Sequence, residues 1–174
     1  MPRTRHIELK PIHPSAALRT AYQRKLTAAI EEMHRSVVYW VLASYRANPP
    51  AIAMDEAPIR SFQRMFRKVR NRWLKNFDTL SEKMAAYFAT EASKRVDGAL
   101  SSMLREHDFA VKFKTTIAQR EAVQATLAEN VSLIKSIPER YLGDVEGLVM
   151  RSFQTGRDLG FLSKALQQNF GVTK

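Results

Sequence analysis

The chain has 174 residues and a mass of 19.9 kDa, with 45% hydrophobic and 26% charged residues, a composition that suits a folded protein with a real core and excludes wholesale disorder. It contains no cysteine, which excludes disulfides, thiolate metal sites and a cysteine nucleophile. Lys and Arg number 28 against 17 Asp and Glu, and the resulting net charge of +11 points to a polyanionic neighbour such as nucleic acid, an acidic protein surface or anionic lipid.

Residues 1–14 carry three prolines and several charges and read as an extended N-terminal arm. The opening MPRTRHIELKP has no apolar core of the kind a secretory signal needs, so no export is expected. Ser15 is placed to cap a first helix. Leu18, Tyr22, Leu26, Ile30, Met33, Val37 and Val41 follow at steps of three and four, the spacing of one buried helical face. Asn48-Pro49-Pro50 ends it, because proline lacks the N–H and clashes with the preceding turn. The longest apolar run, Val37 to Ala43, is far short of the ~20 residues that cross a bilayer.

Pro58 suits the first turn of a second helix. Its apolar positions are Ile59, Phe62, Phe66, Val69, Trp73, Phe77, Leu80, Met84 and Tyr87, close to a heptad seam, with a weaker continuation through Val96, Leu100 and Leu104. A single helix over 58–106 would be about 70 Å long at 1.5 Å per residue. Asp97-Gly98 is where it would divide if there were two. The aromatics are spaced as core or helix–helix contacts first, rather than as stacking platforms.

Phe109-Ala-Val-Lys-Phe-Lys alternates strictly between apolar and polar, which is strand periodicity. A lone strand needs a partner for its backbone groups, so Phe109, Val111 and Phe113 are candidate contacts to a partner strand, from another chain or from sequence outside these 174 residues. The alternative is an extended linker whose aromatics cap the helical core. Thr116 and Gln119 then form a capping-box pattern opening a helix through Val123, Leu127, Val131 and Ile134. Ile137-Pro138 reads as a helix boundary, followed by a new helix through Tyr141, Leu142, Val145, Leu148, Val149 and Phe153. Gly156 is placed as a C-terminal glycine. Asp158 starts a last short helix through Leu159, Leu162 and Leu166 to Asn169, with Gly171 beyond it. The expected fold is mainly α: an elongated helical bundle with one long helix and one short, isolated β-like segment. The expected divisions are the arm 1–14, a long-helix region 15–106 and a third region 107–174.

The dominant charge feature lies on the second helix. Arg60, Arg64, Arg67, Lys68, Arg70, Arg72 and Lys75 are seven bases with no acid between them. On a helix, positions 60, 64, 67, 68, 71 and 75 share one side, and 59, 62, 66, 69 and 73 form the apolar stripe. Such a face can contact phosphates, grip an acidic protein, lie on an anionic membrane or simply be solvated. No base-reading motif accompanies it, so sequence-specific DNA binding is not expected. Glu31 and His34 stand at i and i+3, as in the Glu-x-x-His motif of di-iron bundles. That site needs a second copy and two more glutamates, so a solvated pair is the expected reading. His6, His13 and His107 have no ligand-spaced partners. No nucleophile elbow frames a serine, and no glycine-rich phosphate loop is present. No metal, cofactor or enzymatic activity is expected.

The most distinctive part is the final third. It contains Phe109-Ala-Val-Lys-Phe-Lys-Thr-Thr, Glu129-Asn130-Val131, Leu133-Ile134-Lys135-Ser136-Ile137-Pro138, Val145-Glu146-Gly147, Gly156-Arg157-Asp158-Leu159 and Gly171-Val172-Thr173-Lys174. These blocks resemble the phage Mu F-like family of minor head, or head morphogenesis, proteins. The resemblance covers about the last 65 residues, and the first 108 resemble the helical N-terminal half of such proteins more loosely. It implies a structural role in capsid assembly near the portal vertex of a tailed bacteriophage. The implied locations are the bacterial host cytoplasm during assembly and then the virion head. The implied partners are the portal or major head protein, with DNA or an acidic scaffold beside the basic face, and self-association is compatible with it. Residues 107–174 would then begin the head-morphogenesis domain. Family members continue beyond Gly-Val-Thr-Lys into a basic helical segment, so the resemblance implies that this domain is shortened here. It carries over no catalytic residue.

Overall fold

The computed structural model describes residues 11–13, 15–47, 56–106, 116–156 and 158–173. Its described elements are four helices: α1 (Ala16–Ala47), α2 (Glu56–Glu106), α3 (Ile117–Gln154) and α4 (Leu159–Thr173). Mainly α is therefore correct. The expected β-like segment has no counterpart among the described residues, and Phe109, Val111 and Phe113 lie outside them.

The helix starts follow the predicted chemistry. The Leu18 N–H donates to Ser15 Oγ at 3.1 Å, and the Arg19 N–H to the Ser15 carbonyl at 3.0 Å, closing the first turn of α1. Thr116 and Gln119 form the reciprocal capping box of α3, at 3.2 and 2.9 Å. Asp158 Oδ1 accepts from the N–H groups of Gly160 and Phe161 and caps α4. Gly156 holds φ +92°, the left-handed conformation in which a side chain would be strained, and turns the chain out of α3.

Two expected helix boundaries are absent, and the long second helix is undivided. α2 runs unbroken through Asp97-Gly98 for 51 residues, about 76 Å at 1.5 Å per residue. A single helical glycine costs only about 1 kcal/mol, which a 51-residue helix tolerates. α4 likewise continues through Gly171 to Thr173. Pro138 sits inside α3 rather than at its boundary. The proline removes one bond to the Ile134 carbonyl and costs about 3 kcal/mol. Ile134, Tyr141, Leu142 and Val145 are all buried on either side of it. At about 1.5–3 kcal/mol per buried side chain, keeping them on one continuous face outweighs the local loss.

Two cross-helix contacts set α1 antiparallel to α2. Trp73 Nε1 donates to Ser36 Oγ at 3.2 Å, and the rings of Tyr22 and Phe88 lie 5.1 Å apart. Two ion pairs set α3 antiparallel to α2: Arg70 with Glu146 and Lys135 with Asp78. α4 packs on α3 and α1 and buries Leu162 and Leu166 completely. All four helices contribute to one core, in which Met33, Val37 and Val41 meet Phe62, Phe66, Phe77, Tyr141, Leu142 and Val149. Phe62 stacks on Phe66 at 5.3 Å, and Phe153 closes on both Phe62 and Tyr45.

Candidate functional site: an acid-free face on α1 and α2

α2 separates its two kinds of side chain cleanly. Phe62, Phe66, Val69, Trp73 and Phe77 are buried. Arg60, Arg64, Arg67, Lys68, Arg72 and Lys75 are exposed, with Asn71 among them. At 3.6 residues per turn, the centre of the basic stripe stands opposite the centre of the buried one. The stripe spans about 22 Å of helix, at 1.5 Å per residue. Arg64, Arg67, Lys68, Arg72 and Lys75 make no ion pair among the described residues. Arg70 departs from the group: it is half-buried on the α3 flank and donates to Glu146 Oε2 at 3.1 Å. With both side chains 38% exposed, that bridge contributes only about 0.2–1 kcal/mol. Six of the seven predicted bases thus share the outward surface, and the seventh is turned toward α3.

The antiparallel pairing adds a feature that the linear pattern of α2 does not contain. α1 has no Asp or Glu after Glu32, and α2 has none between Glu56 and Asp78. The Trp73–Ser36 bond lays these two stretches side by side. One end of the bundle therefore presents two neighbouring helices with Arg35 and Arg46 on one, the stripe on the other, and no carboxylate on either. Charges on adjacent helices reinforce one another within a Debye length of about 8 Å at physiological salt.

Two exposed aromatics stand on the α1 part of this face. Tyr39 is 64% and Trp40 42% exposed, and their rings meet edge-on at 5.4 Å. They belong to the apolar run Val37–Ala43, which is too wide for the single stripe that α1 buries. That excess width was the available signal.

Among the described residues there is no group of three or more His, Asp or Glu side chains able to hold a metal ion. His34 is not simply a solvated partner of Glu31: its Nδ1 lies 2.7 Å from Tyr141 Oη across the α1–α3 interface. Burial pushes the His34 imidazole below its ordinary 6.5 and the Tyr141 hydroxyl far above its ordinary 10.0. The hydrogen bond between the tyrosine hydroxyl and the imidazole joins two helices. Ser152 Oγ is buried with no hydrogen-bond partner among the described residues. Among those residues, no helix is long and apolar enough to cross a membrane.

Comparison with family models, with curated proteins and with solved structures finds no match to this chain.

Proposed function

We propose that this chain is a minor structural protein of a tailed-phage head that acts in capsid assembly near the portal, without catalysis. The observation that carries the physical part is the acid-free face of α1 and α2, held opposite a continuous core. A rigid bundle with one strongly cationic side is suited to bridging a protein shell and a polyanion, whether packaged DNA or an acidic scaffold. The phage setting rests on the resemblance of residues 109–174 to the Mu F-like head proteins. The proposed sites of action are the host cytoplasm during assembly and then the virion head, with the portal or major head protein as partner. Fractionating proheads and virions from the source phage tests this. The protein should co-purify with both and associate with portal protein when the two are mixed. Consistent absence from both particles would remove the assignment.

A second reading is favoured by the same face: a helical module that binds nucleic acid without sequence preference, using Arg60, Arg64, Arg67, Lys68, Arg72 and Lys75. It requires affinity that falls steeply with salt, and the two readings are compatible.

A further inference from the structure

We infer that the α1–α2 face is a single-strand nucleic-acid surface on which Trp40 and Tyr39 stack against unpaired bases while the α2 stripe holds the phosphates. The inference rests on the second reading above for its electrostatics and adds the form of polynucleotide that is preferred.

Three observations carry it. First, the register places the aromatics beside the cations. Ser36 faces Trp73, and on antiparallel helices Trp40, one turn further along α1, comes level with Val69. From Val69 toward the stripe, Arg72 stands about 60° and Lys68 about 100° round the helix, both exposed. Second, the two rings are not absorbed by the core. Trp73, the other tryptophan, is only 4% exposed, against 42% for Trp40 and 64% for Tyr39. A large aromatic left half in water is an unmet apolar surface with a π-face available. Third, the surroundings are depleted of acids on both helices, with Arg35 and Arg46 exposed one turn below and two turns above Tyr39 and Trp40 on α1. Aromatic platforms inside a cationic track are the combination that recognises single strands, because every base offers a face and every nucleotide a phosphate. A base inside a duplex has both faces covered by its neighbours. Duplex DNA would therefore use the stripe alone, and an acidic protein surface would have no use for the rings.

The test uses the full chain. Fluorescence anisotropy compares a labelled oligothymidylate of about 20 nucleotides with a duplex of the same length at equal salt, on the expectation that stacking is sequence-tolerant. The single strand is expected to bind at least about tenfold more tightly and to quench Trp40 emission. Trp40→Phe should abolish the quench yet keep affinity within about threefold, because phenylalanine still stacks. Tyr39→Ala combined with Trp40→Ala should weaken single-strand binding about tenfold to a hundredfold, with duplex binding changed less than about threefold and far-ultraviolet circular dichroism unchanged. Equal affinity for single strand and duplex, or an alanine pair that binds the single strand as the unaltered chain does, overturns the inference and leaves the duplex-binding reading standing. If neither nucleic acid binds while polyglutamate does, both fall and the face belongs to an acidic protein.

Discussion

Phe66 and Arg67 are neighbours in sequence on different faces of α2, one buried and one exposed, and substituting each by alanine measures how completely the helix divides its labour. Phe66 is 2% exposed and stacked on Phe62 at 5.3 Å. Truncating a buried phenylalanine removes its transfer free energy and leaves a cavity, which together destabilise by about 3–5 kcal/mol. The lost ring pair is contained in that figure. Arg67 is exposed and unpaired among the described residues, and it stands among like charges. Its removal should change stability by no more than about 0.5 kcal/mol. In urea, with a slope of about 2 kcal/mol per molar, Phe66→Ala should lower the unfolding midpoint by about 1.5–2.5 M, and Arg67→Ala by less than about 0.3 M. Circular dichroism at the helical minimum reads both transitions, and Trp73 emission gives an independent probe. Equal shifts for the two variants, or a large one for Arg67→Ala, would refute the separation of faces.

Replacing Glu146 by Gln should cost under about 1 kcal/mol and, by releasing Arg70, raise polyanion affinity about twofold to threefold at low salt; unchanged affinity would place Arg70 outside the binding face. Ser152→Ala should raise stability by about 1 kcal/mol, because it removes a buried hydroxyl that lacks a partner, and a drop in melting temperature would show that the hydroxyl is in fact bonded. His34 should make stability pH-dependent. Its folded pKa lies below the unfolded 6.5, so the unfolded chain takes up the proton first. Stability is then fully present above about pH 6.5, declines as pH falls through it, and levels off once the folded imidazole protonates. His34→Gln should flatten that decline, and an identical pH profile for the variant would contradict the reasoning. Gly156→Ala should cost about 1 kcal/mol or more, since alanine is strained at φ +92°; a neutral melting temperature would show that the α3–α4 turn relaxes.

Much of the architecture was legible because local rules and tertiary demands agree. The steps of three and four through Ile30, Met33, Val37 and Val41, and through Phe62, Phe66, Val69 and Trp73, name the residues that are buried. The caps at Ser15, Thr116 and Asp158 are local hydrogen-bond chemistry and need no knowledge of the fold. The misreadings occur where tertiary packing overrides a local signal. Pro138 is a helix breaker by propensity, yet it lies within a long helix whose continuity is worth more than the local penalty. Of the candidate site, the seven bases of α2 were visible as a run, and six of them do face outward together. What the sequence did not contain was the third dimension. The pairing of Arg70 with Glu146 joins positions 76 residues apart, and that of His34 with Tyr141 joins positions 107 apart. The alignment of two acid-free stretches depends on the antiparallel register fixed by Ser36 and Trp73.

The account turns on whether the outward bases of α2 meet a polyanion. Duplex affinity measured across a range of salt tests this most directly, for the unaltered chain and for Arg64, Arg67 and Lys68 replaced together by Gln. If Arg60, Arg64, Arg67, Lys68, Arg72 and Lys75 each neutralise one phosphate, the logarithm of affinity should fall with the logarithm of salt at a slope near −5.4, and near −2.7 in the triple variant. A slope near zero, or the same slope in both proteins, would mean that the stripe is no more than a charged, hydrated surface.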